Sequence, residues 1–508
     1  MLKKFVSTIL FAAAILCLLF SPAAAAKDSI TVAFSTKFTT LDGYQTTQRA
    51  NINIGYLMWD PLLERDPDDG TLHPHLVTSW KNLDPKTWEF KLRPGVKFHN
   101  GNALNAESVR FTIEDRILDP AQKSPLKVQF KWIDRVEIVD DLTFRIITVD
   151  PYPLVLEKLN TVFVFDPAYT KEKGDTYVAA HPMGTGPYKF VEWKKGDRIV
   201  MTINENYWKS GTPKTKKATI RVIPEISTRL AELMAGGIDV ALDITPDQIG
   251  TIESNPNVAP YVFPVLRPNF YAFDAMGKAG KSPVNDVRVR RAIWHAIDRE
   301  AIIKHVLKGM ATPINAPGDP RHWGYDTTIK GYEYSPEKAK ALLKEAGYPD
   351  GFDIDIWQLV ESQNLPNQAA MSYLAKVGIK ATIKDYRGNV GQWVKVLYAG
   401  KMTGISNGQW GSYNIFDMSA ILTPYFTKDS LRNYSGDAEL GQWIDEANST
   451  LDKDARLALF MKAQERIIDQ VYWMPFFSLH MIHGHNKNLN YKAGVDQVPR
   501  IQYAEWVK

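Results

Sequence analysis

Trp88-Glu-Phe-Lys-Leu-Arg-Pro-Gly-Val-Lys-Phe-His-Asn-Gly101 carries the reading of this chain. Trp88, Phe90 and Leu92 alternate with charged residues, the period-two pattern of a strand with one face buried. Pro94-Gly95 fits a turn whose second central residue needs positive φ, and Asn100-Gly101 fits a tight hairpin. Just beyond, Asn105-Ala-Glu-Ser-Val-Arg-Phe-Thr-Ile reads as a capped helix. Asp134 to Val149 then holds two short strands around Asp140-Asp141. Upstream, Ile30 to Ser35 alternates as an opening strand, followed by a polar loop from Thr36 to Thr47. Up to about residue 210, strands dominate with helices between them.

The second half is more helical. Val287, Arg291, Ile293, Ala296 and Ile297 share one face of a helix that begins near Asn285 or Asp286, and Asp298 can cap the next one. Ser335-Pro336-Glu337 combines an N-cap, a proline at the first helical position and an early acid, and Gly347 closes that helix. Asp452 to Gln470 carries Leu459, Phe460, Ala463 and Ile467 at helical spacing. No internal repeat and no low-complexity linker interrupts the chain. Mixed strands and helices without linkers predict an α/β protein whose lobes exchange several chain crossings.

At 508 residues the chain has length for about two to four domains. Its 61 basic and 57 acidic side chains leave a formal charge of +4, too even for a protein that coats a phosphate backbone. Its 11% aromatics and 14 Trp exclude a mostly disordered chain. Residues 1–26 read as a cleavable signal peptide. Lys3 and Lys4 form the basic region, Ile9 to Phe20 the apolar region, and Ala24-Ala25-Ala26 the small-residue exit. The only cysteine, Cys17, lies inside the apolar region behind Leu16 and lacks the small neighbour of a lipoprotein leader. The mature chain therefore has no thiol for a disulfide, a metal or a nucleophile. Export without a lipid anchor is expected.

Six segments in a fixed order resemble one family. They are Leu76-Val-Thr-Ser-Trp80, the stretch Trp88 to Gly101, Gly184-Thr-Gly-Pro-Tyr-Lys-Phe-Val-Glu-Trp193, Asn206-Tyr-Trp208, Arg229-Leu-Ala-Glu-Leu-Met-Ala-Gly-Gly-Ile-Asp-Val240, and Asp286 to Glu300. Together they resemble the peptide, dipeptide and nickel branch of solute-binding proteins that serve ABC importers, bacterial extracellular solute-binding protein family 5. The resemblance implies a two-lobed, periplasmic-binding-protein-like α/β fold of type II, with an extra domain inserted in lobe one. Lobe one would comprise 27–63, 184–280 and 484–508, the extra domain 64–183, and lobe two 281–483. It also implies a periplasmic, monomeric protein without cofactor or enzymatic activity. Such a protein closes over a solute and hands it to a permease, with ATP hydrolysis left to partner subunits; no nucleic acid is involved.

By position, the resemblance puts ligand contacts at Phe38, Tyr44 and Gln45, at Asn269 and Tyr271, and in the loop of Trp410, Ser412, Tyr413, Asn414 and Asp417. Trp410 stands out because its Gly-rich, polar surroundings are poor core material. Peptide binders of the family usually carry an aspartate two or three residues after this Trp, to pair with the peptide ammonium. Here Gly411-Ser412-Tyr413-Asn414 follows instead, and the nearest acid is Asp417. A buried ammonium without a carboxylate is costly. An oligosaccharide or a chelated nickel thus stands beside a peptide as the expected cargo. Arg387 is a candidate for a ligand carboxylate. Gly404-Ile405-Ser406-Asn407-Gly408 matches a nucleophile elbow, leaving a secreted serine hydrolase as a distant rival. His480, His483 and His485 cluster near the C-terminus, but alternate parity on a strand would send His480 and His483 to opposite faces.

Overall fold

The computed structural model describes residues 27–507 apart from 68, 123 and 413. The expected signal peptide and Cys17 lie outside the described residues. The opening strand is Ser29–Phe34, with Ile30 and Val32 fully buried. It runs parallel to Lys217–Val222 on one side and to Val240–Ala241 on the other. It thereby sits inside an 11-stranded mixed sheet. From one end, the main path runs Ile379–Asp385, Phe352–Gln358, Ile405–Gln409, Val258–Phe273, Trp473–Asn486, Val240–Ala241 and Ser29–Phe34. It ends with Lys217–Val222, Arg198–Ile203 and Tyr188–Lys194.

Two strands in the middle of this order are far longer than the rest. Val258–Phe273 and Trp473–Asn486 pair antiparallel, from Val258 opposite Asn486 to Ala272 opposite Trp473, with the register broken between Pro264 and Pro268 and again after Asn269. Pro260, Pro264 and Pro268 are tolerated because the strand is laddered on one side only until Asn269, where Ile405–Gln409 joins it. The buried clusters divide along these strands. Residues up to Val265 and from Ile482 onward pack in one half, and residues 270–477 in the other. The change of core thus falls inside the two strands, ahead of the divisions expected at 280 and 483. Apolar residues occur on both sides of the change in each strand, so hydropathy carries no boundary.

The segment that opened the reading forms part of a four-stranded antiparallel sheet, ordered Val77–Asp84, Thr87–Leu92, Thr143–Thr148, Ile133–Asp140. Phe90 and Phe144 stack across it at 5.2 Å and join the same core as Ile30 and Val240. Gly95 takes φ 77°, as the turn requires, and around Asn100-Gly101 the pairing is a single bridge between Lys97 and Ala103. Asn105 caps the following helix and accepts from Ser108 N at 3.0 Å. Asp286, Ser335 and Asp452 cap their helices by the same chemistry.

A charged cluster ties residues 60–75 to Tyr207 and Trp208. His75 Nε2 is 2.8 Å from Asp60 Oδ1, and its Nδ1 is 3.2 Å from Glu64 Oε2. Asp60 also accepts from Tyr207 Oη at 2.7 Å and Trp208 Nε1 at 3.0 Å. Burial works against a charged imidazole, but the two carboxylates outweigh it and raise His75 to about 9. No described helix is long and apolar enough to cross a membrane.

Candidate ligand-binding site

A cavity of about 360 Å³ lies where the two halves face each other, within the range of about 300–1,000 Å³ for small-molecule sites. Thr47, Arg49 and Gln497 line it from the first half, and Arg267 from the crossing strand. Gln363, Trp393, Asn407, Gln409, Trp410, Tyr425 and Arg432 line it from the second half. The second wall is held by a buried polar network. Gln363 Oε1 accepts from Leu359 N at 2.8 Å and Val360 N at 3.1 Å, while its Nε2 donates to Asn407 O at 2.9 Å. Asn407 Nδ2 donates to Asn367 Oδ1 at 2.6 Å, which also accepts from Tyr271 Oη at 2.8 Å. Networks satisfied in this way stiffen the wall they support.

The aromatic side is equally constrained. Trp410 Nε1 donates to Ala420 O at 2.9 Å, and its ring meets Tyr425 edge-on at 5.6 Å. The Arg432 guanidinium lies 4.3 Å from the Trp410 centroid, and no carboxylate pairs with it among the described residues. Trp393 sits on the wall with a buried Nε1 that has no hydrogen-bond partner among the described residues.

The loop after Ile405–Gln409 reaches from the second half to the first. Asn414 adopts left-handed φ 69°, accepts a hydrogen bond from Arg49 and donates to Tyr56 Oη at 2.9 Å. Its backbone oxygen accepts from Asn160 Nδ2 at 3.3 Å. Phe416 N donates to Glu157 Oε2 at 2.9 Å, and Arg65, paired to Glu157 at 2.5 Å, covers the Phe416 ring at 4.2 Å. One short loop of the second half therefore makes a polar and aromatic seam with three separate segments of the first.

Of the residues expected at the site, Trp410 lies on the cavity wall and Asn414 in the seam beside it. Tyr413 lies outside the described residues. Ser412 is buried beneath the wall, its N–H donating to Leu266 O at 3.3 Å. Tyr271 is one layer back, in the network behind Asn407, and burial raises its phenol. Phe38 packs on Phe34 at 5.7 Å, and Tyr44 is locked to Phe163, donating to its O and accepting from its N at 2.9 Å each. Gln45 is exposed; none of these three lines the cavity. Asn269 is fully buried at the core change, and neither atom of its amide has a partner among the described residues.

Asp417 requires a correction. Both of its oxygens are taken by Arg456, at 2.6 and 2.7 Å, and Oδ1 also accepts from Ser419 N at 2.9 Å. Only 4% of the residue is exposed, and its charge is already paired with Arg456, so it is buried away from an incoming ammonium. Arg387 is likewise committed, to Asp385 at 2.6 Å and Glu361 at 2.5 Å on the surface. Ser406 lies within a strand with its Oγ turned to Met402 Sδ at 3.6 Å, which is no nucleophile elbow. His480, His483 and His485 go to separate partners: Thr312, Tyr491 and Asn486 O. Arg49, Arg267, Arg432 and Gln497 escaped the sequence reading, since single polar residues far apart in the chain carry no local pattern.

Two halves joined by paired crossing strands, with a cavity between them walled from both sides, define a two-lobed solute-binding protein. Residues 71–433 match the model of bacterial extracellular solute-binding proteins, family 5. The chain belongs to that family. It is the solute-binding component of an ABC importer, a transport protein and not an enzyme, which removes the hydrolase alternative. Its relatives include the glutathione-binding protein GsiB of Pectobacterium atrosepticum, 28% identical over 484 residues and 92% of each chain. Heme-binding protein A of Haemophilus influenzae is 30% identical over 460 residues, spanning 82% of this chain and 81% of that one. Among solved structures, the periplasmic binding protein DppA of Helicobacter pylori in complex with the peptide STSA superposes with a TM-score of 0.78. It is 26% identical and covers 95% of this chain and 99% of its own.

Proposed function

We propose that this chain is an exported, periplasmic receptor that closes its two lobes on a peptide-sized solute and presents the closed form to a permease. The observation that carries the reading is the cavity walled by both halves, with the crossing strands as its hinge. The broken register at Pro264–Pro268 and after Asn269 concentrates bending where the core changes. The seam of Asn414 and Phe416 with Arg49, Tyr56, Glu157 and Asn160 is then the contact that distinguishes closed from open. A ligand bridging the walls shifts the lobes toward that contact only by binding the closed form better.

The glutathione named in one relative, the heme in another and the tetrapeptide held by DppA bracket the sizes to be tried. A non-peptide cargo stays in view because Asp417, the nearest acid in the loop, is consumed by Arg456. The test is small-angle scattering and thermal unfolding of the mature chain with di- to pentapeptides, glutathione, oligosaccharides and nickel with histidine. A true cargo shrinks the radius of gyration and raises the melting temperature. Profiles and melting points unmoved by all of them overturn the capture reading.

A further inference from the structure

We propose that the solute is an anion with at least two acidic groups, one meeting Arg432 on the aromatic wall and one meeting Arg49 or Arg267 opposite. The proposal rests on the cavity being the solute site. It comes from the charge of the wall. Arg49, Arg267 and Arg432 all line the cavity, and the described wall includes no Asp or Glu. Three guanidinium groups lining one small space repel each other. An anion between them converts that repulsion into charge-assisted hydrogen bonds, for which the planar guanidinium fork suits a carboxylate.

Further features agree. Arg49 is the first residue of the helix Arg49–Met58, which has no acid in its first turn and no side-chain cap, so its positive end borders the same space. Arg432 stacks on Trp410 and has a buried Nε without a hydrogen-bond partner among the described residues, a donor that a ligand can take up. The rest of the described wall is apolar or neutral: Trp393, Tyr425, Leu359 and Val390 offer flat and aliphatic surface, with no acid among them to neutralise an ammonium. A free amine is therefore dispensable in the cargo, while its acids are not.

Titration calorimetry and scattering on the mature chain test this with three probes of similar shape. N-acetyl-Glu-Phe has two carboxylates and no ammonium, N-acetyl-Gln-Phe-amide is neutral, and Lys-Phe-amide is cationic. The doubly anionic probe is expected to bind at least about 10-fold tighter than the neutral one and to weaken as salt is added. The cationic probe is expected not to bind. Arg432→Gln and, separately, Arg267→Gln should each weaken the anionic probe about 10- to 100-fold, with the unliganded melting point checking that each variant folds. A neutral or cationic probe that binds as tightly and compacts the protein overturns the charge assignment while leaving the capture reading intact. No binding or compaction by any of the three, glutathione and the wider panel included, overturns both.

Discussion

Replacing Asp417 by Asn separates a structural carboxylate from a ligand anchor. The side chains of Asp417 and Arg456 are 6% and 5% exposed, their two contacts are 2.6 and 2.7 Å, and Arg456 Nε is held by Ala447 O at 2.8 Å. The guanidinium also lies 4.9 Å from the Trp323 ring and 4.8 Å from that of Phe460, so it cannot swing to water when its partner is lost. Removing one member of a buried pair costs about 3–5 kcal/mol, most of it from the charge left behind. For a unit of some 200 residues, each kcal/mol moves the midpoint by about 2–4 °C, so the unliganded protein should melt roughly 6–20 °C lower. Circular dichroism through the thermal transition measures it, with affinity for a stabilising solute measured below the transition. Replacing both residues together, Asp417→Leu with Arg456→Met, should recover much of the loss, because no unpaired charge remains. A variant that melts within about 1 °C of the parent yet loses its solute would refute the assignment of Asp417 to the fold.

Other consequences are as specific. His75 is raised from 6.5 to about 9 by Asp60 and Glu64 against the opposing effect of burial. A folded value above the unfolded one means stability that is complete below about pH 6.5 and fades as pH climbs through about 9. The margin of the parent over His75→Gln, about 3 kcal/mol from that shift, should therefore be largest in mild acid and vanish by about pH 10 in pH-resolved melting; a margin that grows with pH contradicts the reading. Gly70 sits at φ 76°, and an added Cβ would lie 2.3 Å from the Phe416 ring across the seam. Gly70→Ala should weaken solute binding about tenfold or more and enlarge the liganded radius of gyration, and Phe416→Ala in the same chain should restore part of it. Equal affinity in parent and Gly70→Ala would mean the seam is not the closing contact.

Much of the fold was legible because its signals are local. The alternation of Trp88, Phe90 and Leu92, the turn glycine Gly95, and the caps Asn105, Asp286, Ser335 and Asp452 each act within a few residues, and each appears where the pattern placed it. The candidate site was far less legible. Trp410 stands out by its surroundings, but Phe38, Tyr44 and Tyr271 are placed by position alone, and each packs into a core. Asp417 illustrates the difficulty: its partner Arg456 lies 39 residues away on the helix Lys453–Asp469, so nothing near it in the chain shows that it is already paired.

The sequence by itself determined the class: an α/β chain whose six ordered segments mark the family. Those properties are written in periodicity, capping chemistry and composition, which do not depend on what comes to lie beside what. Only the tertiary structure decided where the core changes hands and which residues face the cavity. Arg49, Arg267 and Arg432 are separated by more than 150 residues at each step, and their charges meet because two long strands fold one half against the other. Long-range electrostatics depends on distance in space, and that distance is set by the crossing.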